Sequence, residues 1–411
     1  MSAVETSFKE SIAQPSIPWR YAALYFPMGL MIGYPSVALG YLSSQAGLPV
    51  SSAAAMVGMA FFAHAFKFLW APLADYSLSR KTWYRLAVAV MCVVLVALTA
   101  TPMNAANVPW LAALVLCGNV AATFVAFATE GLMAHNTGAG GRGRASGWFQ
   151  SGNQFGQTAG GGLGLWLTKH LAAPWQAGVV LALVVLACAL ALRALEEPPP
   201  ARHDGGVADK ARDAWRELAG VLRSHGGRVG LLLAMLPIGT GAAQFLFGSL
   251  GPEWHASADT VSLTLGLGGG LAIVAGCMSG GWLASRLAGA RAYATACGVS
   301  AAMALLLAVS PRTGLGFAAA TVAYTFALGA CSATLTGMVL GVIGRGATAT
   351  KMNVFFAMNT LFGLAMLRVD GAAHDRWATS GMLALEFAIG AASLVAFVLL
   401  SNKVGGAKRR L

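Results

Sequence analysis

Charge is scarce in this sequence. Only 10% of the 411 residues are Asp, Glu, Lys or Arg, while 57% are apolar and the mean hydropathy is +0.66. Soluble domains carry about a quarter charged residues, so a soluble globular fold is excluded. Acids are the scarcer sign, 15 against 27 bases. The seven histidines are scattered and no loop is densely acidic. That argues against a membrane-embedded acyl or glycosyl transferase, which needs His, Asp or Cys gathered near one membrane face. Neither G-x-x-x-x-G-K-[ST] nor H-E-x-x-H occurs, so no P-loop and no zinc-protease site is present. No cofactor and no metal are expected. The six cysteines, Cys92, Cys117, Cys188, Cys277, Cys297 and Cys331, all fall inside apolar runs without metal-ligand spacing. They read as small buried apolar residues, not as disulfides.

Apolar runs near twenty residues are what the chain has instead. Each is long enough to cross a hydrocarbon core of about 30 Å. Twelve spans are predicted, near 18–42, 50–75, 83–102, 107–132, 144–169, 174–195, 229–250, 259–286, 291–310, 313–343, 348–370 and 377–401. Span 1 lacks a short apolar region followed by a cleavage site, so it is expected to stay in the protein. The fold class is an all-α membrane protein of 12 transmembrane helices, with lipid as its surroundings.

The net charge of +12 is a topology signal, not a polyanion-binding surface. All bases but Lys67, Lys169, Arg312, Arg368 and Arg376 fall on one side of the twelve-span arrangement. Under the positive-inside rule that side is cytoplasmic, as are both termini. No nucleic-acid partner is expected.

Span 6 ends at "EEPPPARHDGG", residues 196–206, and consecutive prolines cannot continue a helix. In the following stretch Val207, Ala211, Trp215, Leu218 and Leu222 fall at helical spacing. On the other face Asp209 with Arg212 and Asp213 with Arg216 form i,i+3 pairs. This predicts an amphipathic helix at the cytoplasmic membrane surface. The expected organisation is a six-helix bundle over 1–195, a linker over 196–228, a second six-helix bundle over 229–402 and a basic tail over 403–411. The bundles echo each other: "APLADYSLSRK" after span 2 and "GWLASRLAGAR" after span 8 lie 210 residues apart. Repeats of the same orientation are how six-plus-six transporters are built.

Several polar residues sit where hydrocarbon is expected. Lys67 lies in span 2, and a lysine at bilayer depth costs roughly 2.5–3.5 kcal/mol unless it meets a cavity or a partner. His64 is one turn away, and Glu130 in span 4 lies at similar depth. Lys67 is expected to pair with Glu130, as a proton-coupling element or a structural ion pair, to contact a substrate anion, or to snorkel to the cytoplasmic headgroups. In span 5, Gln150, Asn153, Gln154 and Gln157 cover about 100° of arc. They form either the polar wall of an aqueous cavity or a set of interhelical amide bonds. Gly152, Gly156, Gly160 and Gly164, spaced by four, predict a close helix approach on that span that permits sliding. Gln244, Tyr324, Asn353 and Asn359 are the candidate cavity residues of the second half. Arg368 and Asp370 are candidates for an outer gate or a headgroup anchor. Glu386 lies mid-span without an account.

The loop after span 2 resembles the G-x-x-x-D-[RK]-x-G-[RK]-[RK] pattern of the major facilitator superfamily. It keeps Asp75, Arg80 and Lys81, with Ala71, Tyr76 and Ser79 in place of the first glycine, the first base and the second glycine. The second copy keeps Gly281, Arg286, Gly289 and Arg291, with Ser285 for the acid. Within that superfamily, "FKFLWAPLADYSLSRKTWY" and "TEGLMAHNT" followed by the glycine-rich span 5 resemble the family of muropeptide permeases, acetyl-coenzyme A transporters and bacterial inner-membrane siderophore permeases. Glu130 stands there for the usual aspartate.

The resemblance implies two pseudo-symmetric six-helix bundles, monomeric action, an inner-membrane location and alternating access. It implies a small polar or anionic organic solute as substrate, with protons as the coupling ion. It also implies a cytoplasmic latch made by Asp75 with Arg80 and Lys81, in which the acid meets the positive N-terminal end of span 11. An efflux permease of the same fold, a lipid scramblase and a non-transporting receptor are the other readings.

Overall fold

The computed structural model describes residues 17–48, 50–197, 207–237, 239–245, 247–344 and 347–406. The prolines at 198–200, Arg345 and the last five residues of the basic tail lie outside them. The described residues are helical and contain no strand. Among the described residues the helices make twelve passages. Eight of the described helices are long and apolar enough to cross a membrane. The last of these, Thr348–Gly406, is two spans merged across a break at Ala378, whose φ is 54°. Spans 2, 5 and 7 fall outside that set because they are interrupted or polar, and spans 2 and 5 carry part of the candidate site.

Each interruption has a local cause. In span 2, Val50–Phe66 gives way to a 3₁₀ turn over Lys67–Leu69 before Ala71–Tyr76. Pro72 lacks an N–H and its ring clashes one turn back, which breaks the α ladder there. Span 7 runs over His225–Ala234 and resumes at Ala242–Phe245. Between them Pro237 precedes Gly239 and Gly241, whose φ values of 67° and 74° only glycine adopts at little cost. Spans 1, 5 and 8 each contain a π-helical stretch, at Tyr34–Leu39, Ala159–Leu163 and Thr264–Gly268.

Span 1 packs on spans 4 and 5 in the amino-terminal half, and span 10 on spans 8 and 9 in the carboxyl-terminal half. The halves meet where span 5 packs on spans 8 and 10, and where span 11 packs on spans 2 and 4. Span 6 (Pro174–Ala194) leaves Leu183, Leu186 and Leu190 exposed, and span 3 (Arg80–Ala100) leaves Val93 exposed. These apolar side chains face outward, as a lipid-bathed surface requires. The linker helix, Val207–Arg223, keeps its Asp209–Arg212 and Asp213–Arg216 pairs at 3.1 Å. It rests on protein as well, against the end of span 2 and the start of span 11, with Glu217 3.3 Å from the buried Lys351.

Glycine sets two different interfaces. On span 5, a Cβ at Gly156 would collide with the Phe26 carbonyl of span 1, and one at Gly152 with that of Ala22. Gly29 and Gly33 of span 1 lie equally close to the span 5 backbone at Asn153 and Gln157. The four-residue glycine spacing thus fixes span 5 to span 1 inside one half, and does not form the sliding surface expected for it. The surface between halves is made by other glycines. A Cβ at Gly281 of span 8 would sit 2.7 Å from Gly147 Cα and 2.8 Å from the Gly143 carbonyl oxygen. The same substitution should therefore act differently at the two places. Gly156→Val should cost about 3 kcal/mol or more of fold stability, read as a lower melting temperature in detergent. Gly281→Val should leave each half folded and instead hold the halves apart at this end, read as faster thiol labelling between spans 5 and 8.

Candidate functional site

The loops after spans 2, 4, 8 and 10 gather at one end of the bundle, which carries most of the bases and is called here the basic end. The two halves are closed against each other there. The Asp75 carboxylate, at the end of span 2, accepts from the backbone N–H groups of Ala349 at 3.1 Å and Thr350 at 2.9 Å, and from the Thr350 hydroxyl at 2.9 Å. These donors are the unsatisfied first-turn amides of span 11, where the helix dipole favours an anion. Arg80 lies 3.7 Å from Asp75. Its side chain crosses span 4 over Gly131, where a Cβ would meet Arg80 Nε and Cδ. Glycine next to Glu130 is therefore what lets the guanidinium reach Asp75.

One turn deeper, Glu130 and Asn353 join spans 4 and 11. Asn353 Nδ2 donates to Glu130 Oε2 at 2.7 Å and to the Ala349 carbonyl at 2.8 Å. Both residues are fully buried, and Glu130 Oε1 has no hydrogen-bond partner. The expected Lys67–Glu130 ion pair does not form, because the 3₁₀ turn carries the lysine elsewhere. Lys67 Nζ sits 5.6 Å from the Phe356 ring centroid of span 11, a cation–π arrangement. His64 Nε2 bonds Asn119 Oδ1 at 3.1 Å, while the Asn119 amide donates to Met31 and Val115 carbonyls. Its partner is in its own half, and its buried Nδ1 has none. Trp70 Nε1 donates to Thr123 Oγ1 at 2.9 Å and pins the broken segment of span 2 to span 4.

The amides of span 5 divide into two groups. Gln150 donates to Thr336 Oγ1 of span 10 at 2.7 Å, a buried bond between halves. Gln157 donates to Asn153 and Gln154, each at 3.2 Å. These three are half-buried on their own helix. At about 1.5 Å per residue from the start of Arg142–Thr158, they lie roughly 16–22 Å along span 5, beyond the Glu130 layer.

Other candidates are placed differently from their expectation. Lys81 is held through its backbone N–H by Glu197 Oε1 at 3.0 Å, with no contact to Asp75 recorded. Arg286 is exposed against the Trp282 ring at 5.6 Å, and Arg291 is exposed. The second loop copy makes no latch, because Ser285 supplies no carboxylate and its hydroxyl donates to the Trp282 carbonyl. Asn359 donates to the Ala234 carbonyl at 3.2 Å, capping the broken end of span 7. Gln244 follows the break, half-buried in the turn Ala242–Phe245. Tyr324 is fully buried and donates to Glu386 Oε1 at 2.6 Å. Arg368 is exposed while Asp370 is fully buried, and no ion pair joins them in this conformation.

The break at Pro237, Gly239 and Gly241 was not foreseen, although these residue types carry its signal. Thr240 Oγ1 is buried there without a partner, and the Thr240 side chain lies against Gly363 of span 11. Irregular backbone at membrane depth occurs where it is covered by protein or lines a cavity.

The arrangement is two helix bundles joined at one end by a carboxylate on a helix N-terminus and by a buried carboxylate–amide bond, with amides beyond. Compared by sequence with curated proteins, the chain finds no match. Among solved structures it is similar to the Escherichia coli fucose transporter FucP, titled a Major Facilitator Superfamily transporter in the outward conformation, at 18% identity and TM-score 0.69, over 93% of this chain and 98% of that one. It is similar to the human organic anion transporter MFSD10 at 16% identity and TM-score 0.66, over 95% and 100%. A bacterial homologue of the iron transporter ferroportin in an outward-facing state aligns at 14% identity and TM-score 0.67, over 95% and 100%. The family profile described as Major Facilitator Superfamily matches residues 21–367. A multi-pass membrane protein with this profile over most of its length belongs to the major facilitator superfamily of transporters.

Proposed function

We propose that the chain is a proton-coupled permease that takes up a small polar or anionic organic solute by alternating access. One observation carries this reading: the Glu130 carboxylate is buried at the junction of the halves and bonded across it to Asn353. The halves are 1–195 and 229–402, working as a monomer. The basic end faces the cytoplasm, so the closed contacts at Asp75 and Glu130 make this an outward-facing conformation. Solute enters from the opposite end and meets Asn153, Gln154 and Gln157. Lys67 supplies the positive charge that an anionic group seeks. A proton arriving on Glu130 removes the charge that strengthens its bond to Asn353. The basic end then opens, and the proton leaves with the solute into the cytoplasm.

The loop and span 4–5 patterns support the muropeptide, siderophore, peptide or coenzyme A thioester class. The likeness to an organic anion transporter and to a fucose:proton symporter is consistent with a solute of this size. Lys67→Met should lower uptake of an anionic solute at least tenfold, mainly through KM, with normal membrane insertion. Uptake unchanged in KM and rate would remove Lys67 from the pathway. Outward flux driven by the same gradient would make the chain an efflux permease of the same fold.

A further inference from the structure

Two carboxyl groups lie buried in the carboxyl-terminal bundle, away from the pathway proposed above. Asp370 is on span 11 and Glu386 on span 12, 0% and 7% exposed. Tyr324 of span 10 donates its O–H to Glu386 Oε1 at 2.6 Å. Both Asp370 oxygens, Glu386 Oε2 and Thr321 Oγ1, one turn from Tyr324, are shielded from solvent and have no hydrogen-bond partner. Ala373, one turn from Asp370, and Leu383, one turn from Glu386, belong to the same buried apolar cluster as Tyr324, together with Phe247, Leu250, Leu307 and Phe317.

No cation neutralises them among the described residues. Arg368 and Arg376 are exposed. The Arg312 guanidinium lies 3.8 Å from the Trp254 ring centroid and donates to Ser380. His374 pairs with Glu253 at 3.4 Å. On the same helices Arg291 of span 9 is exposed and Lys351 of span 11 pairs with Glu217, both at the basic end, while Tyr293, Cys297, Tyr324, Cys331 and, after span 7, Glu253 are not cationic. Two unneutralised negative charges in one apolar region are strongly disfavoured, and intramembrane carboxyl groups mark ion or proton sites. No group of three or more His, Cys, Asp or Glu gathers to hold a metal ion among the described residues. The occupant that fits is a proton.

We propose that Asp370 and Glu386 form a second protonation site, holding one exchangeable proton between them, with Tyr324 positioning Glu386. The proton binds a carboxylate oxygen, giving COOH, and the same O–H bond breaks on release. Tyr324 keeps its own proton and stabilises the remaining charge. Asn353 and Asp370 are 17 residues apart on the same helix, about 25 Å along its axis. A shift of span 11 therefore reaches both the Glu130 bond and this pair.

The test needs no substrate, so its failure is separate from any failure of the permease reading. Infrared difference spectra are recorded on the full chain in liposomes as pH is raised at constant potassium chloride. Wild type, Glu130→Gln, Asp370→Asn, Glu386→Gln and Tyr324→Phe are compared after each is shown to insert and to keep a monodisperse elution profile. The expected result is a carboxylic C=O band that disappears as pH rises in wild type and in Glu130→Gln, and that is lost when Asp370→Asn or Glu386→Gln is added to Glu130→Gln. Tyr324→Phe keeps the two carboxyl groups and should move the midpoint by about one pH unit or more. It serves as the test if the acid variants do not fold. A band of unchanged amplitude in both acid variants, a band that ignores pH, or an unmoved midpoint in Tyr324→Phe overturns the proposal. So does a band removed at constant pH by replacing potassium with sodium, which would make the occupant a metal ion.

Discussion

Asp75→Asn opens the basic end. In a background without the native cysteines, Ser146→Cys becomes reactive to a hydrophilic thiol reagent roughly 30- to 100-fold faster than with Asp75 intact. Ser146 is fully buried between the halves, opposite Gly337 of span 10, so its labelling reports their separation. The magnitude follows from the contacts. Asp75 accepts two backbone N–H bonds and one hydroxyl bond from the first turn of span 11. Bonds to a charged acceptor are worth about 1.5–3 kcal/mol each. Asparagine keeps one acceptor oxygen, loses the charge that suits the helix N-terminus, and turns an NH₂ group toward donors. A net loss of about 2–3 kcal/mol from the closed state is expected, and each 1.4 kcal/mol is tenfold in the ratio of states. Because Gly131 lets Arg80 reach the same carboxylate, Gly131→Leu should act in the same direction and more weakly. An unchanged labelling rate in Asp75→Asn would mean that the latch contributes nothing to closure.

Glu130→Gln separates solute movement from proton movement. Glutamine resembles the protonated acid in shape and charge, so Asn353 keeps a neutral partner. Exchange of labelled solute between equal concentrations on the two sides should persist, within about threefold of wild type. Accumulation driven by a proton gradient should fall at least a hundredfold, since the group that carries the proton through the opening and closing steps is gone. Accumulation that survives would place the coupling group elsewhere, and Asp370 with Glu386 would be the next pair to examine. Loss of exchange as well as accumulation would show that Glu130 is needed for the conformational step itself.

What the sequence revealed depended on the range of the physics involved. Membrane spans are local, since twenty apolar residues satisfy their own backbone bonds, and the spans predicted near 83–102 and 313–343 correspond to Arg80–Ala100 and Gly314–Ile343. The pairing of Glu130 with Asn353 joins residues 223 apart. Both were visible as polar residues in apolar runs, but nothing in either run names its partner. Lys67 illustrates how a local rule displaced a plausible long-range one. Pro72 forces a 3₁₀ turn at the lysine, and the side chain goes to Phe356 instead of the carboxylate. The span 5 glycines were legible as a close approach, but their spacing could not say which helix approaches. Gly131 was invisible as a functional residue because its contribution is the absence of a side chain beneath Arg80. Glu386 had no account in the sequence, because its partner Tyr324 comes from another helix.

The most direct test of proton-coupled uptake is solute-dependent acidification in liposomes holding the purified protein and an internal pH dye. Muropeptides, ferri-siderophores, dipeptides and acetyl-coenzyme A are added outside in turn. The account predicts that one class acidifies the interior of wild-type liposomes and leaves Glu130→Gln liposomes silent. Uptake of a solute with no proton signal, or a signal of equal size in Glu130→Gln, would contradict it.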